Sequence, residues 1–189
     1  MKNEAASDHA AGHDAQAYQA VAREAWRTGT ATAAAPGLLR LTVTSDSMRP
    51  LLRAGDVVVV QPIEPRTLRP GDVIVVQRGR EWITHRLVMI DERGWHTHGD
   101  NMRYADEAVG AAEIVGRAIV IERGEQTIDL QQPHWRAIDR RINRVQRTQL
   151  RMFAALRKLG GTRSNGITRA AAALIHGPFQ LAVRLLLRF

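Results

Sequence analysis

The chain has 189 residues and a formal net charge of +8, with 27 Lys and Arg residues against 19 Asp and Glu residues. This length suits one domain with appendages, and a hydrophobic content of 44% is that of a globular protein rather than a disordered or collagen-like one. The sequence contains no cysteine, which excludes disulfides, thiolate nucleophiles, zinc knuckles and iron–sulfur clusters.

Residues 1–37 are predicted to be a flexible leader in front of the folded body. Residues 1–14 lack both the basic start and the continuous apolar run of a secretory signal peptide. Apolar residues at helical spacing predict a short amphipathic helix over Ala15–Arg27. The stretch from residue 30 to 37, rich in Ala and Thr and closed by Pro-Gly, is typical of a linker. No apolar run long enough to span a membrane precedes residue 38.

Residues 38–132 have the texture of a β domain. Short runs rich in Val and Ile are separated by turn formers such as Pro70-Gly71-Asp72. Six or seven strands with no long helix between them predict a mainly antiparallel, barrel-like sheet. The predicted strands cover residues 38–44, 57–61, 73–77, 82–90, 94–98, 114–122 and 127–130.

Residues 133–189 are predicted to form a basic tail of amphipathic helices. Periodic apolar residues predict one helix over His134–Leu159 and a second over Ile167–Phe189, interrupted at Gly177-Pro178. From residue 134 onwards the tail carries twelve basic residues and a single acid, Asp139. The rest of the chain is close to neutral, and this asymmetry is typical of a segment that contacts phosphates.

The second tail helix is too short between its flanking arginines to cross a bilayer, so we expect it to lie in the interface of an anionic membrane. A basic helix exposed only to solvent is the plainer alternative. Nucleic-acid binding is disfavoured because the tail arginines alternate with large aliphatic residues rather than with stacking aromatic residues. We therefore expect a protein that is cytoplasmic or peripheral to a membrane.

Three short stretches of the β domain contain side chains suited to catalysis. Ser47 lies before a Met-Arg-Pro turn, and His85 lies inside an apolar strand, where it is expected to be partly buried. Asp100 and Asp106 belong to one turn. Each also has an ordinary structural interpretation, namely a turn serine, a satisfied core histidine and an Asx-stabilised loop.

Taken in order, these stretches and their neighbours resemble the successive sequence boxes of type I signal peptidases, the S26 serine peptidases, whose fold is close to that of the LexA-type S24 group. The resemblance extends over roughly residues 41–121. Its boxes are Ser47-Met48-Arg49-Pro50, Gly55-Asp56-Val57-Val58-Val59, Arg69-Pro70-Gly71-Asp72-Val73-Ile74, Thr84-His85-Arg86-Leu87, Gly99-Asp100-Asn101 and Val115-Gly116-Arg117.

Members of this group use either lysine or histidine as the general base, and His85 occupies that position here. The only lysines, Lys2 and Lys158, lie in the leader and the tail, so composition also favours the histidine type. Self-cleaving LexA-like repressors are disfavoured for the same reason. They also need an N-terminal DNA-binding domain, for which residues 1–37 are too short.

The resemblance implies acyl transfer at a peptide bond. Ser47 would be the nucleophile and His85 the general base, and an acid would orient the imidazole. That acid maps onto Asp106, with Asp100 as the alternative. The oxyanion would be stabilised by the Ser47 backbone N–H and the Ser45 hydroxyl. Neither a cofactor nor a metal is implied.

The implied function is removal of a leader or signal segment from a precursor protein, with small residues at the P1 and P3 positions of the substrate. The alternative is a non-catalytic module that keeps the fold and binds peptides by strand addition. Signal peptidases normally carry an N-terminal transmembrane helix. We therefore expect the basic tail, or a membrane-anchoring partner protein, to supply the membrane contact.

Overall fold

A computed structural model of the protein describes residues 31–33, 37–160 and 166–187. The predicted leader residues 1–14 and helix Ala15–Arg27 lie outside the described residues. In chain order the strands are β1 (Ala31–Ala33), β2 (Leu39–Thr42), β3 (Val57–Gln61), β4 (Val73–Arg78), β5 (Glu81–Asp91), β6 (Gly94–His98), β7 (Ile114–Arg123) and β8 (Gln126–Asp129). Two helices follow, α1 (Pro133–Gly160) and α2 (Gly166–Leu186).

The strands form one antiparallel sheet in the order β1-β2-β3-β7-β4-β5-β6. Strand β7 is long enough to pair β4 through residues 114–117 and β8 through residues 120–123. The path ends at β1 and β6, so the sheet is open. The predicted mainly antiparallel β fold with late helices is confirmed.

Two similar turns start β3 and β4. Gly55 and Gly71 adopt positive φ values of 95° and 110°, which glycine reaches without steric penalty. In each turn the following aspartate closes the loop: Asp56 and Asp72 each accept a backbone N–H bond of 2.8 Å from three residues upstream. The repeated Gly-Asp-Val pattern in the sequence therefore marks two strand starts with the same turn chemistry.

The segment predicted as a linker contains strand β1. Its residues pair with β2 in the register Ala31↔Leu41 and Ala33↔Leu39. The linker prediction is wrong over these residues because strand pairing uses backbone N–H and C=O groups, which the side-chain pattern does not reveal.

The tail helices lie within about three residues of the predicted bounds, but α2 runs on through Pro178 without the expected interruption. A proline inside a helix removes one backbone hydrogen-bond donor, which disfavours the helix at that point. The helix can still continue where packing supports it. Gln180, Val183 and Leu187, all beyond Pro178, are buried against the body.

The two helices help to form the main hydrophobic core. Trp135 and Ile142 of α1, together with Val183 and Leu187 at the end of the chain, pack in one cluster with buried residues of the sheet such as Val58 and Ile121. Much of the apolar periodicity of the tail thus serves packing within the chain. The domain boundaries at residues 37 and 132 stay a prediction. Of the helices in the described ranges, none is long and apolar enough to cross a membrane.

Candidate active site

Strands β5 and β6 position side chains on both faces of the sheet. Because successive residues of a strand point to opposite sides, His85 and Arg86 face different environments. Thr97 lies on the face of His85, where both contact Asp106. His98 stands opposite Arg86 in the register of the two strands and shares the face that meets the helices.

Ser47 begins a short turn whose other residues are anchored in the core. The turn is closed by hydrogen bonds from Arg49 N to Asp46 O and from Leu52 N to Met48 O. Met48 and Leu52 are fully buried, whereas Ser47 is half-buried. Burial of its neighbours therefore holds the Ser47 hydroxyl at the edge of the core.

Ser47, His85 and Asp106 form a continuous chain of hydrogen bonds. The distance between Ser47 Oγ and His85 Nε2 is 3.0 Å, and that between His85 Nδ1 and Asp106 Oδ2 is 2.6 Å. His85 is buried, while Asp106 keeps partial contact with solvent. The structure thus brings together the three side chains predicted from sequence: Ser47 from a turn, His85 from β5 and Asp106 from a loop.

Asp106 is held by a second residue of β6. The Thr97 hydroxyl donates to Asp106 Oδ2 at 2.6 Å, and the Asp106 backbone N–H donates to Thr97 O at 2.9 Å. Burial alone would raise the pKa of Asp106, but hydrogen bonds from His85 and Thr97 outweigh burial and leave that pKa below its usual value. Asp106 is therefore an ionised acceptor at neutral pH. Thr97 was not predicted as a site residue. Its place next to His98 in a strand, where neighbouring side chains point to opposite faces, is the one sequence signal that could have indicated it.

Ser45 lies beside the nucleophile candidate. Its Oγ atom is 3.2 Å from Ser47 Oγ, and both hydroxyls can donate or accept. Its side chain is exposed. The arrangement leaves a hydroxyl donor two residues before Ser47, next to the place where a substrate carbonyl would meet Ser47 Oγ.

Asp100, the alternative acid, has its carboxylate bound elsewhere. Arg86 donates from Nε to Asp100 Oδ1 at 2.9 Å and from Nη2 to Oδ2 at 2.8 Å. Arg86 also donates to Asp139 Oδ1 of α1 at 2.5 Å and to Gly71 O at 2.9 Å. Of the two acids that the sequence left open, Asp106 is the one that contacts His85, and Asp100 neutralises a buried arginine.

This buried group contains one cation, Arg86, and the carboxyl groups of two acids, Asp100 and Asp139. Burial opposes the charge of Arg86, but Asp100 and Asp139 together raise its pKa above the ordinary value. Burial raises the pKa of Asp139, against the attraction of Arg86. Asp139, which the sequence presented only as the single acid of a basic tail, is thus an ionic contact between α1 and β5.

Gly99 lies where a side chain would not fit. A Cβ atom at this position would be 2.7 Å from Ser47 O and 2.9 Å from His85 Nε2. Cβ atoms in proteins do not approach other atoms this closely. Glycine is therefore required where the backbone at residue 99 passes next to Ser47 O and His85 Nε2. The Gly99-Asp100-Asn101 box therefore supplies a close backbone contact to Ser47 and His85 as well as an acid.

His98 is buried on the helix side of β6. Burial lowers the pKa of His98 to about 4, against the attraction of Asp100 and Asp106. The imidazole is therefore neutral near neutral pH. Within the described ranges, no group of three or more His, Asp or Glu side chains is arranged to hold a metal ion.

Comparison with known protein families gives a match over most of the β domain. Residues 5–119, more than half of the chain, match the Peptidase S24-like family. No curated protein and no solved structure matches the chain. The matched region contains Ser47, His85 and Asp106, and it lies in the superfamily that LexA-type and signal-peptidase-like proteins share. The chain therefore belongs to the Peptidase S24-like family.

Proposed function

We propose that this protein is a serine endopeptidase in which Ser47 is the nucleophile, His85 the general base and Asp106 the orienting acid. The observation that carries the proposal is the unbroken hydrogen-bond chain from Ser47 Oγ through both imidazole nitrogens to Asp106. Membership of a peptidase family supports the general class of reaction.

The geometry suits a two-step acyl transfer. Ser47 Oγ attacks the substrate carbonyl carbon while its proton passes to His85 Nε2, 3.0 Å away. Asp106 accepts a hydrogen bond from the Nδ1–H of His85 and stabilises the imidazolium. The imidazolium then protonates the leaving amine as the C–N bond breaks. A water molecule, deprotonated by His85, hydrolyses the acyl-enzyme and regenerates the Ser47 hydroxyl.

The negative charge that develops on the substrate oxygen needs donors in place before the reaction. The Ser47 backbone N–H and the Ser45 hydroxyl are the donors we assign to this role, on the basis of the family resemblance and the 3.2 Å separation of the two hydroxyls. In other enzymes, removal of one such donor lowers kcat by about 10²–10³-fold.

An extended peptide has a free strand edge to bind beside His85. Strand β4 pairs with β5 from Glu81 to Arg86, whereas β6 pairs with β5 only from Arg86 onwards. Among the described strand pairs, the second edge of β5 is therefore open over residues 81–84, next to His85. Backbone hydrogen bonds along such an edge are the usual means of binding a peptide by strand addition.

We assign the substrate as a precursor protein from which a leader or signal segment is removed. The support for this is the resemblance to signal peptidases, from which small P1 and P3 side chains also follow. The alternative is a non-catalytic peptide-binding module, which the same open edge of β5 would serve.

A serine-reactive fluorophosphonate separates the two functions. Wild-type protein is expected to be labelled at Ser47, located by mass spectrometry of the digest, while heat-denatured protein and Ser47→Ala stay unlabelled. Unlabelled wild-type protein is then tested on peptides with Ala at P1 and P3. Absence of labelling in folded wild-type protein would favour the binding module, and labelling without cleavage of any such peptide would contradict the signal-segment substrate.

We also propose that the C-terminal helices contact an anionic membrane surface. The supporting observation is what remains exposed after the core is packed: Arg140 and Arg144 on α1, and Leu181 and Leu185 on α2, which are 57% and 50% exposed. Arginines close to an anionic leaflet and exposed aliphatic side chains are the two features of interfacial helices. A membrane-anchoring partner protein would serve the same purpose.

A further inference from the structure

Asp100 lies at the centre of a buried set of hydrogen bonds that reaches three elements. Apart from Arg86 of β5, its donors come from the two C-terminal helices. Gln146 of α1 donates from Nε2 to Asp100 Oδ1 at 2.6 Å, and Gln180 of α2 donates from Nε2 to the Asp100 backbone oxygen at 2.5 Å. Asp100 and both glutamines are buried. One residue of the candidate site therefore receives a bond from each helix.

The chemistry of Asp100 determines which way both amides point. A carboxylate oxygen and a backbone carbonyl oxygen can only accept hydrogen bonds. The NH₂ group of each glutamine, rather than its oxygen, must therefore face Asp100. Both bonds are buried: loss of the Gln180 bond would remove the side-chain donor to the Asp100 backbone oxygen, and loss of the Gln146 bond would leave Asp100 Oδ1 with Arg86 Nε as its donor.

The residues on either side of Asp100 contact the nucleophile and the base. The Asn101 backbone N–H donates to Ser47 O at 2.8 Å. On the other side, Gly99 packs so closely against Ser47 O and His85 Nε2 that no Cβ would fit. A shift of Asp100 would therefore move two backbone supports of Ser47.

We propose that Gln146 and Gln180 are positioning residues, through which α1 and α2 hold residues 99–101 against Ser47. The inference rests on the proposed function, since it assigns these glutamines a role in the reactivity of Ser47. It also makes the C-terminal helices a part of the catalytic centre, in addition to any role at a membrane. The hydrogen bonds of both glutamines go to Asp100 rather than to Ser47 or His85.

The test uses three variants of the full chain, Gln146→Met, Gln180→Met and Gln149→Met. Gln149 is the matched control: like Gln146 it lies on α1 and is 1% exposed, but it donates to His176 Nδ1 of α2 at 3.0 Å. It therefore joins the two helices without reaching Asp100. Thermal unfolding of all three variants establishes that each is folded and compares how far each substitution lowers the stability of the protein.

The first readout is the rate of fluorophosphonate labelling at Ser47. The Gln146 and Gln180 variants are expected to label roughly tenfold more slowly, which corresponds to about 1.4 kcal/mol in the barrier, with the probe's apparent affinity unchanged. The Gln149 variant is expected to label at the wild-type rate. Equal slowing in Gln149→Met would mean that any loosening of the helices slows labelling, and it would overturn the inference.

The second readout does not depend on activity. Hydrogen exchange of the Asn101 amide, which donates to Ser47 O, is expected to be faster in the Gln146 and Gln180 variants and unchanged in the Gln149 variant. If wild-type protein is not labelled at all, the proposed function fails, while this exchange still decides whether the helices hold residues 99–101. Wild-type labelling with unchanged rates and unchanged exchange in the Gln146 and Gln180 variants overturns the positioning role alone.

A further variant, Gln180→Glu, covers the case in which the methionine variants do not fold. Its side chain has the size of glutamine but can donate to Asp100 O only when protonated. Its labelling rate relative to wild type is therefore expected to rise as the pH falls from about 8 to about 5.5, where a buried carboxyl takes up its proton. A constant ratio over this range would contradict the role of the donor.

Discussion

His85 and Arg86 are neighbours in β5, and their side chains enter separate hydrogen-bond groups on opposite faces of the sheet. His85 contacts Ser47 and Asp106, whereas Arg86 contacts Asp100 and Asp139. The first group has partial access to solvent and the second is buried. This division predicts different consequences for substitutions that are close together in the sequence.

The two aspartates should differ in what they affect. Asp106→Asn is expected to lower kcat by roughly 10²–10⁴-fold, because His85 loses the acceptor that fixes its tautomer. Asp100→Asn is expected to lower the free energy of unfolding by about 3 kcal/mol, because it weakens the compensation of a buried arginine. Peptide cleavage kinetics and urea unfolding measure the two effects. The roles would be exchanged if Asp100→Asn lowered kcat more than Asp106→Asn does, and if Asp106→Asn lowered the free energy of unfolding more than Asp100→Asn does.

A lysine should not replace His85. In His85→Lys the ammonium would lie near Asp106, whose carboxylate is 2.6 Å from the imidazole in wild type and would favour the charged form of the lysine. A charged lysine cannot take the proton of Ser47, so we expect no detectable fluorophosphonate labelling near neutral pH. Labelling at the wild-type rate would show that the site is suited to a Ser/Lys dyad and would contradict the histidine assignment.

A methyl group at Gly99 should disturb the site without general unfolding. Gly99→Ala places a Cβ 2.7 Å from Ser47 O and 2.9 Å from His85 Nε2, so the backbone there must shift. We expect labelling of Ser47 to fall by at least roughly tenfold, the effect of a barrier change of about 1.4 kcal/mol. The control is Gly177→Ala in α2, where nothing lies within 4 Å of the added Cβ. The control is expected to label normally and to be as stable as wild type or slightly more so.

Acid should destabilise the protein partly through His98. Its folded pKa of about 4 lies below the value of about 6.5 for a free histidine, so between these values the unfolded chain binds a proton that the folded protein does not. The free energy of unfolding should therefore fall by about 3 kcal/mol from this group as the pH drops through that window. The carboxyls of Asp106 and Asp56, with pKa values below the usual range, titrate at lower pH.

His98→Gln removes the titrating group at similar size. Denaturant unfolding between about pH 6.5 and pH 4 is expected to show a shallower loss of stability in this variant than in wild type. Equal slopes in the two proteins would mean that His98 does not carry the effect.

Membrane binding is best tested on the exposed charges of α1. Deleting the tail would remove Trp135 and Ile142 from the core and would perturb the fold itself. In Arg140→Glu/Arg144→Glu, sedimentation with anionic liposomes should weaken by at least roughly tenfold, since each arginine near the surface contributes about 1 kcal/mol. Raised salt should weaken the wild-type protein as well.

The matched control is Arg80→Glu/Arg93→Glu, which makes the same change of charge at exposed positions of the β4–β5 and β5–β6 turns. It is expected to sediment like wild type. Equal losses in both double variants would reduce the effect to net charge. Binding to DNA in place of anionic lipid at the same salt would contradict the membrane proposal.

The sequence by itself determined the local structure well. The strands predicted over residues 57–61 and 94–98 coincide with β3 and β6, and α1 differs from its prediction by one residue at each end. Turn chemistry and apolar period act over a few residues, so they can be read from neighbours in the chain. The order of the sequence boxes likewise singled out Ser47, His85 and two possible acids before any distance was known.

The tertiary structure alone decided which acid meets His85 and what supports the site. Asp106 rather than Asp100 contacts His85 because the two carboxylates lie against different faces of the β5–β6 pair. Gln146 and Gln180 reach Asp100 from 46 and 80 residues away in the chain. No local pattern signals such contacts, because a buried and an exposed glutamine in a helix cannot be distinguished from the neighbouring sequence. The packing of the helix determines which acceptor the amide of each glutamine meets.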